Sequence, residues 1–247
     1  MIDADGYFGE RVAAVYDDPA DPMFAPERID PVVDVLAELA GDGRALELAS
    51  GTGRIAISLA RRGVLVHGIE LSRAMTAKLQ AKPGAEQVTV TIGDMATTRV
   101  PGLFRVAYLV YNTIQNLTTQ DAQVACFRNV AAHLAPGGTF VIEVAVPPLR
   151  LLPPGQDILG WRASPDRMVS YHYDTATQAY DGHYMEPAAD GALYHHTIAF
   201  RYVWPAELDL MAQLAGMRLR DRWAGWDRAP FTSQSRSHVS IWEKPAG

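Results

Sequence analysis

Five side chains with acceptor oxygens fall at or near the ends of short apolar runs. Glu47 lies inside the run 45–49, Glu70 closes 64–69, Asp94 follows 87–92, Asn112 follows 105–111, and Glu143 lies inside 139–146. The run 45–49 is broken by Ser50-Gly51-Thr52-Gly53, after which Ile55, Ala56 and Leu59 share a helical face until Gly63. This is a buried strand, a glycine turn and a helix. Glycines admit positive φ and let a ligand lie against bare backbone. Free N–H groups at the helix start face the same ligand. A nucleoside-type guest suits such a turn. Gly51-Thr-Gly53-Arg-Ile-Ala56 also fits the G-x-G-x-x-A dinucleotide fingerprint, which is weak alone.

The elements that position these groups alternate along the chain. Tyr7, Phe8, Val12 and Val15 predict a short helix ending near Tyr16-Asp17-Asp18-Pro19, with a loop or lid running to Pro26. A helix spans 31–40 and stops at Gly41. Strands follow at 64–70, 87–92, 105–111 and 139–146, with helices at 73–81 (N-capped by Ser72) and 121–134. Ala135-Pro136-Gly137-Gly138 closes the second of these helices. Alternation of strand and helix predicts an α/β, doubly wound parallel sheet that binds ligands at the carboxyl ends of its strands. All five acceptor groups collect at or near that edge, which argues for one crevice. From Pro147 the pattern changes. Short β-like runs at 168–173, 178–185 and 193–204, with turn signals at Asp181-Gly182 and Asp190-Gly191, predict an antiparallel insertion over one end of the crevice. A helix at 205–214 and two strands at 218–224 and 236–243 finish the sheet as an antiparallel hairpin. The expected parts are 1–43 (N-terminal helices and lid), 44–160 (core), 161–204 (insertion) and 205–247 (last helix and hairpin).

Composition narrows the classes. At 247 residues, 48% apolar and 20% charged, the chain has material for one large globular domain. A net charge of −6 disfavours a broad nucleic-acid surface. The single cysteine, Cys126, excludes an internal disulfide and a cysteine-based zinc site, and its helical context places it in packing. Tyr171, His172, Tyr173, His183, Tyr184, His195 and His196 crowd the insertion without a recognisable metal-ligand spacing, so no metal is expected. The acidic, polar start is not a signal peptide, and no apolar run approaches about 20 residues, so a cytoplasmic protein with no membrane partner is expected.

Glu47-Leu-Ala-Ser-Gly-Thr-Gly53, Gly68-Ile-Glu-Leu-Ser72, Gly93-Asp94-Met95 and Leu134-Ala-Pro-Gly-Gly138 together resemble the class I S-adenosylmethionine-dependent methyltransferases, in order and separation. The resemblance implies the Rossmann-like methyltransferase fold, with a mostly parallel seven-stranded sheet, and S-adenosylmethionine as cofactor. It implies that the turn from Glu47 through Ala49, Gly51 and Gly53 holds the methionine part and ribose edge. Glu70 accepts from both ribose hydroxyls, Leu71 and Met75 flank adenine, and Asp94 accepts from the adenine amine with Met95 nearby. Tyr111 and Asn112 lie beside the methionyl group. Ala49 stands where many members carry glycine.

Tyr16-Asp17, the Thr113–Leu117 loop and the insertion around Tyr194-His-His196 are similar to the bacterial aminosugar N-methyltransferases. That branch often carries histidine where this chain has Asn116, which cannot act as a base. Tyr16 and Asn116 are the candidates near the transferred methyl. Glu143, His172 and His195, with Asn116, are the candidates for touching the acceptor. The loop after strand four lacks an Asn/Asp-Pro-Pro-Tyr signature, which favours methylating a nitrogen or oxygen of a small molecule. The insertion caps the pocket or forms a homodimer contact. Two other readings stand beside this one: an NAD(P)-dependent oxidoreductase and a non-catalytic S-adenosylmethionine-binding protein. Glu47 ahead of the glycines, the 44 or so residues before the first strand, and Pro136-Gly-Gly138 count against the first. An accessible acceptor chamber counts against the second.

Overall fold

The computed structural model describes residues 6–18, 21–164, 167–187 and 192–246. In chain order the strands are β1 (Arg44–Leu48), β2 (Leu65–Glu70), β3 (Val88–Ile92), β4 (Phe104–Leu109), β5 (Leu134–Ala145), β6 (Ile158–Ser164), β7 (Arg167–Tyr173), β8 (Ala179–Pro187), β9 (Leu193–Arg201), β10 (Arg218–Trp223) and β11 (Ser237–Glu243). The helices are α1 (Glu10–Tyr16), α2 (Pro26–Ala40), α3 (Arg54–Arg61), α4 (Arg73–Gln80), α5 (Gln120–His133) and α6 (Pro205–Leu214).

The main sheet has seven strands in the order β10-β11-β5-β4-β1-β2-β3, parallel except for β11, which runs antiparallel to both its neighbours. The chain winds outward from β1 through β2 to β3, then returns to place β4 on the other side of β1. That reversal opens a crevice beyond the carboxyl ends of β1 and β4. Alternate residues serve opposite layers. Leu46, Leu48, Phe140 and Ile142 pack with Phe127 and Trp242 on one face. Ala45, Tyr108 and Val141 pack with Val33, Leu36, Ile55 and Leu59 on the other. Cys126 is fully buried in the first layer, and burial pushes its thiol up to about 12.

Local chemistry sets the starts of the helices. Gly53 has φ 80°, and a Cβ there would meet Leu79 at 2.6 Å, so the turn into α3 needs glycine. Ser72 Oγ accepts from the Met75 N–H at 3.0 Å, and Thr119 Oγ1 from the Ala122 N–H at 3.1 Å, capping α4 and α5. Helix α2 starts five residues before the expected 31–40. Pro26 sits in its first turn and Pro31 lies inside it. A proline in a first turn loses no helical hydrogen bond, so that stretch is helix rather than loop. Strand β5 also starts early. Its Pro-Gly-Gly stretch is tied to the end of β11 by the Gly137 N–H on Lys244 O at 2.8 Å and the Lys244 N–H on Gly138 O at 2.9 Å.

The insertion is a separate four-stranded antiparallel sheet, β6-β7-β8-β9. Its first strand was not evident in the sequence pattern, and β9 ends at Arg201 rather than 204. Asp181-Gly182 is not a turn. It lies inside β8 with Gly182 opposite Tyr171, and a Cβ there would meet the Tyr184 and Tyr171 rings at 2.9 and 3.1 Å. The turn from β7 to β8 is built on Asp174, which accepts from the Ala176 N–H at 2.9 Å and the Thr177 hydroxyl at 2.6 Å. Asp190-Gly191 lies outside the described residues.

A buried polar knot fixes the base of this sheet to the core. The Arg201 guanidinium donates to Gln123 Oε1 on α5 at 2.6 Å and Glu207 Oε1 on α6 at 2.8 Å. Gln178 donates to Glu207 Oε2 at 2.8 Å. Burial alone would raise the Glu207 carboxyl, but hydrogen bonds from Arg201, Gln120 and Gln178 outweigh it and hold it below its ordinary 4.5. Its folded pKa is depressed, so its stabilisation is full above the unfolded value and is lost as pH falls through the folded one. Removing one partner strands a buried charge, which costs about 3–5 kcal/mol. Glu207→Ala should therefore lower the melting temperature by roughly 6–15 °C at pH 7. It should also flatten the decline of stability below about pH 4.5. Thermal melts across pH check both effects.

Candidate active site

A cavity of about 260 Å³ opens where β1, β2 and β3 end. Glu70, the last residue of β2, reaches across to the glycine turn. Its Oε2 accepts from the Gly51 N–H at 2.7 Å, and its Oε1 from the Ser72 N–H at 2.8 Å. Leu71, Met75 and Ile69 form an apolar wall beside it. Asp94 and Met95, after β3, form the opposite wall, and Asp94 Oδ1 accepts from the Ala96 N–H at 2.7 Å. Ala49 lies in the cavity floor at φ 54°. This left-handed conformation costs an L-residue about 1–2 kcal/mol, which explains the advantage of glycine there.

Glu47 and Tyr111 line a side recess that joins this cavity past Tyr16, Ala49, Gly51 and Thr113. Glu47 is buried, and burial pushes its carboxyl well above the ordinary range, partly offset by Arg54. Its Oε2 has no hydrogen-bond partner among the described residues. Such an orphaned carboxyl oxygen at the edge of a nucleoside-sized cleft suits a ligand ammonium. Arg54 stacks over Tyr111 with its guanidinium 4.3 Å from the ring centroid and donates to Met23 O at 3.0 Å. Gly53 lines none of this space and shapes the turn instead.

The N-terminal segment roofs the cavity with Phe8 and Tyr16. It is tied down at several points. Ser72 Oγ donates to Phe8 O at 2.7 Å, and the Thr52 hydroxyl donates to Asp17 Oδ1 at 2.6 Å. Lys82 pairs with Asp17 at 2.8 Å and donates to Thr52 O at 2.7 Å. Tyr7 Oη lies 3.0 Å from His196 Nε2 on β9. Burial raises the Tyr16 hydroxyl above its ordinary value, with Arg54 opposing, so it stays a neutral phenol.

A second chamber of about 240 Å³ lies between the crevice and the insertion sheet. Phe8, Tyr16, Thr113 and Asn116 border both spaces and mark the passage between them. Tyr171, Tyr180, Tyr184 and Phe200 supply the far wall. Tyr180 hydrogen-bonds Gln115, which lies on the short turn 113–116 after β4.

Three residues expected at the acceptor lie elsewhere. His172 is exposed and bonded to Asp157 at 3.1 Å, and His195 is exposed and stacked on His183. Strand parity is the reason: Tyr171, Tyr173, Tyr180 and Tyr184 share the inner face, so the intervening histidines point outward. Glu143 accepts from the Tyr111 N–H at 3.1 Å and lines a different cleft beside Arg54. Asn112, at φ 64°, lines the acceptor chamber rather than the cofactor cavity, and its Oδ1 accepts from the Ala145 N–H at 2.6 Å. Phe8, Gln115, Tyr180 and Phe200 were not singled out from the sequence. The alternation of rings along β7–β9 was the available signal, but it did not reveal which face turns inward.

A doubly wound sheet with an acid-and-glycine cleft at its switch point, beside a second chamber, is the arrangement of a nucleoside-binding α/β protein. Comparison with known proteins gives the family. Residues 45–138 match the model of the methyltransferase domain. The CcbJ methyltransferase of Streptomyces caelestis is 33% identical, with a TM-score of 0.85 over 97% of this chain and 98% of that one. The cypemycin N-terminal methyltransferase of a Streptomyces species is 27% identical over 208 residues, 82% of this chain and 84% of that protein. CalS10 of Micromonospora echinaspora, an amino pentose methyltransferase solved with S-adenosylmethionine bound, shares the fold. Its TM-score is 0.68 at 20% identity, over 94% of this chain and 95% of that one. This chain belongs to the S-adenosylmethionine-dependent methyltransferases.

The tethers on the roof predict that Asp17→Ala, which removes an ion pair and a hydrogen bond, weakens S-adenosylhomocysteine binding about three- to tenfold. Its melting temperature should shift by less than about 3 °C. Calorimetric titration and thermal melts check the pair of effects.

Proposed function

We propose that this enzyme methylates a nitrogen of a small-molecule amine. One observation carries the choice of nitrogen: among the described residues lining the acceptor chamber there is no Asp, Glu, His, Lys or Arg. A hydroxyl acceptor benefits from a general base, whereas an amine that arrives neutral needs none. The relatives' names, an N-terminal methyltransferase and an amino pentose methyltransferase, support the same reading.

In this reading Glu70, which lines the cavity, holds the ribose hydroxyls, and Asp94 takes the adenine amine. Leu71, Met75 and Met95 enclose the base, while Glu47 and Gly51 face the methionyl ammonium and backbone. Bound S-adenosylmethionine supplies a methyl on a positively charged sulfur. The chain's own contribution is alignment: Tyr16, Thr113, Phe8 and Asn116 frame the passage through which nitrogen, methyl and sulfur must lie in line. Asn116 orients the amine by hydrogen bonding, and Tyr16, kept a neutral phenol by burial, adds no charge to the passage. The rings exclude water from the passage.

Glu70→Ala should weaken S-adenosylhomocysteine binding at least about tenfold, because charge-assisted hydrogen bonds contribute about 1.5–3 kcal/mol. Unchanged affinity by calorimetry would remove the ribose assignment, and binding of NAD in place of the homocysteine ligand would remove the reading as a whole. The pH profile gives an independent check. With no protein base, kcat/KM should rise with pH and level off at the pKa of whichever amine is used. A single break point common to amines of different pKa would show a titrating group on the enzyme instead.

A further inference from the structure

The acceptor chamber does not end at the reacting centre. A second space of about 230 Å³ adjoins it, with Asn112, Gln115, Tyr171 and Tyr180 lining both and the Tyr180–Gln115 hydrogen bond standing between them. This extension runs between the rings of Tyr173 and Tyr202 and the stretch Ala145–Pro148 after β5. None of the described residues lining either space is charged at any ordinary pH, in a chain where 20% of residues are charged. Arg54 and Glu143 both meet Tyr111, yet neither lines these spaces.

The aromatic wall is organised. Tyr173 stacks on Tyr180 with centroids 5.2 Å apart and planes 21° apart, and Tyr180 stacks on Phe200 at 5.0 Å and 21°. The wall therefore runs without a break from the methyl-transfer chamber into its extension. Such a surface receives an apolar or uncharged ring by stacking and attracts a methylated ammonium through the ring faces. It has no cation to balance a phosphate or carboxylate, and burying such an anion unpaired is costly. The Tyr173 and Tyr180 hydroxyls are held neutral by burial, so they add no charge of their own.

Resting on the N-methyltransferase reading above, we propose that the acceptor is a two-part, anion-free amine. Its reacting nitrogen sits at Asn116, and an uncharged ring some atoms away occupies the extension between Tyr173, Tyr202 and Pro147-Pro148. The neutrality of both spaces selects against acceptors carried on a nucleotide diphosphate or bearing a carboxylate near the amine.

The test uses four probes titrated calorimetrically into protein saturated with S-adenosylhomocysteine: N-methyl-3-phenylpropylamine, N-methylpropylamine, and the first compound carrying a para-carboxylate or a para-phosphate. The phenylpropyl probe should bind at least tenfold more tightly than each of the others. Val146→Glu and Pro148→Glu, which place a carboxylate at the extension, should each reduce its affinity at least tenfold and leave S-adenosylhomocysteine affinity unchanged. Equal or tighter binding of an anionic or truncated probe would overturn the proposal. So would binding of none of the four, or failure of both variants to reduce the affinity of the phenylpropyl probe. Failure of S-adenosylhomocysteine itself to bind would overturn the methyltransferase reading first, and is seen before any probe is added.

Discussion

One carboxylate holds the cleft together. Each oxygen of Glu70 takes a backbone N–H from a different element, Gly51 of the turn after β1 and Ser72 at the start of α4. Charge-assisted bonds of this kind are about twice as strong as neutral ones. Ser72 then uses its hydroxyl twice, accepting from Met75 and donating to Phe8. Glycine turn, second helix and N-terminal roof are thus linked in series through two side chains. Glu70 also lines the cavity, so the group that fixes the cleft borders the space a ligand would enter. A chain that loses this carboxylate loses both a contact and the geometry around it.

The acceptor side is built on a different principle. The cleft sets two carboxylates, Glu70 and Asp94, in a largely apolar wall, whereas the chamber beyond it is lined by phenol rings and amides, with no charged side chain among the described residues. Methyl transfer from a sulfonium dissipates a positive charge at sulfur and creates one at nitrogen. Ring faces tolerate a cation at either position without fixing it. Buried carboxylates close to the passage would retain the substrate as a protonated, unreactive ammonium. In the proposed N-methylation, keeping Glu143, His172, His183 and His195 off the chamber lining leaves the amine's lone pair available.

The parallel part of the fold was legible because its signals are local. Gly53 must adopt φ 80°, Ser72 must cap, and acids follow strand ends, each of which leaves a mark within a few residues. The insertion was legible as strands but not as a surface. Tyr171-His172-Tyr173 and His183-Tyr184 carry rings on both faces, so sequence alternation alone cannot say which face turns inward. That depends on the pairing of β8 with β7 and β9, and on Arg201 reaching Gln123 and Glu207, contacts set by residues far apart in the chain. His172 and His195 fall on the outer face of this sheet and Tyr180 and Tyr184 on the inner one, a parity that local sequence does not reveal. The early start of α2 was hidden by its two prolines, which usually signal a break; Pro26 falls in the first turn, where the helix tolerates it, and Pro31 lies inside the helix. Asp181-Gly182 misled for a related reason: the glycine serves ring packing across two strands rather than chain reversal.

In the proposed reading the cofactor lies with its ribose at Glu70 and its sulfur at the passage framed by Phe8, Tyr16, Thr113 and Asn116. A crystal structure with S-adenosylhomocysteine bound measures this directly. Both ribose hydroxyls should lie within hydrogen-bond distance of Glu70, and the sulfur should face the chamber beside Asn116. A sulfur turned away from that passage, or a ligand bound outside the cleft, would contradict the account.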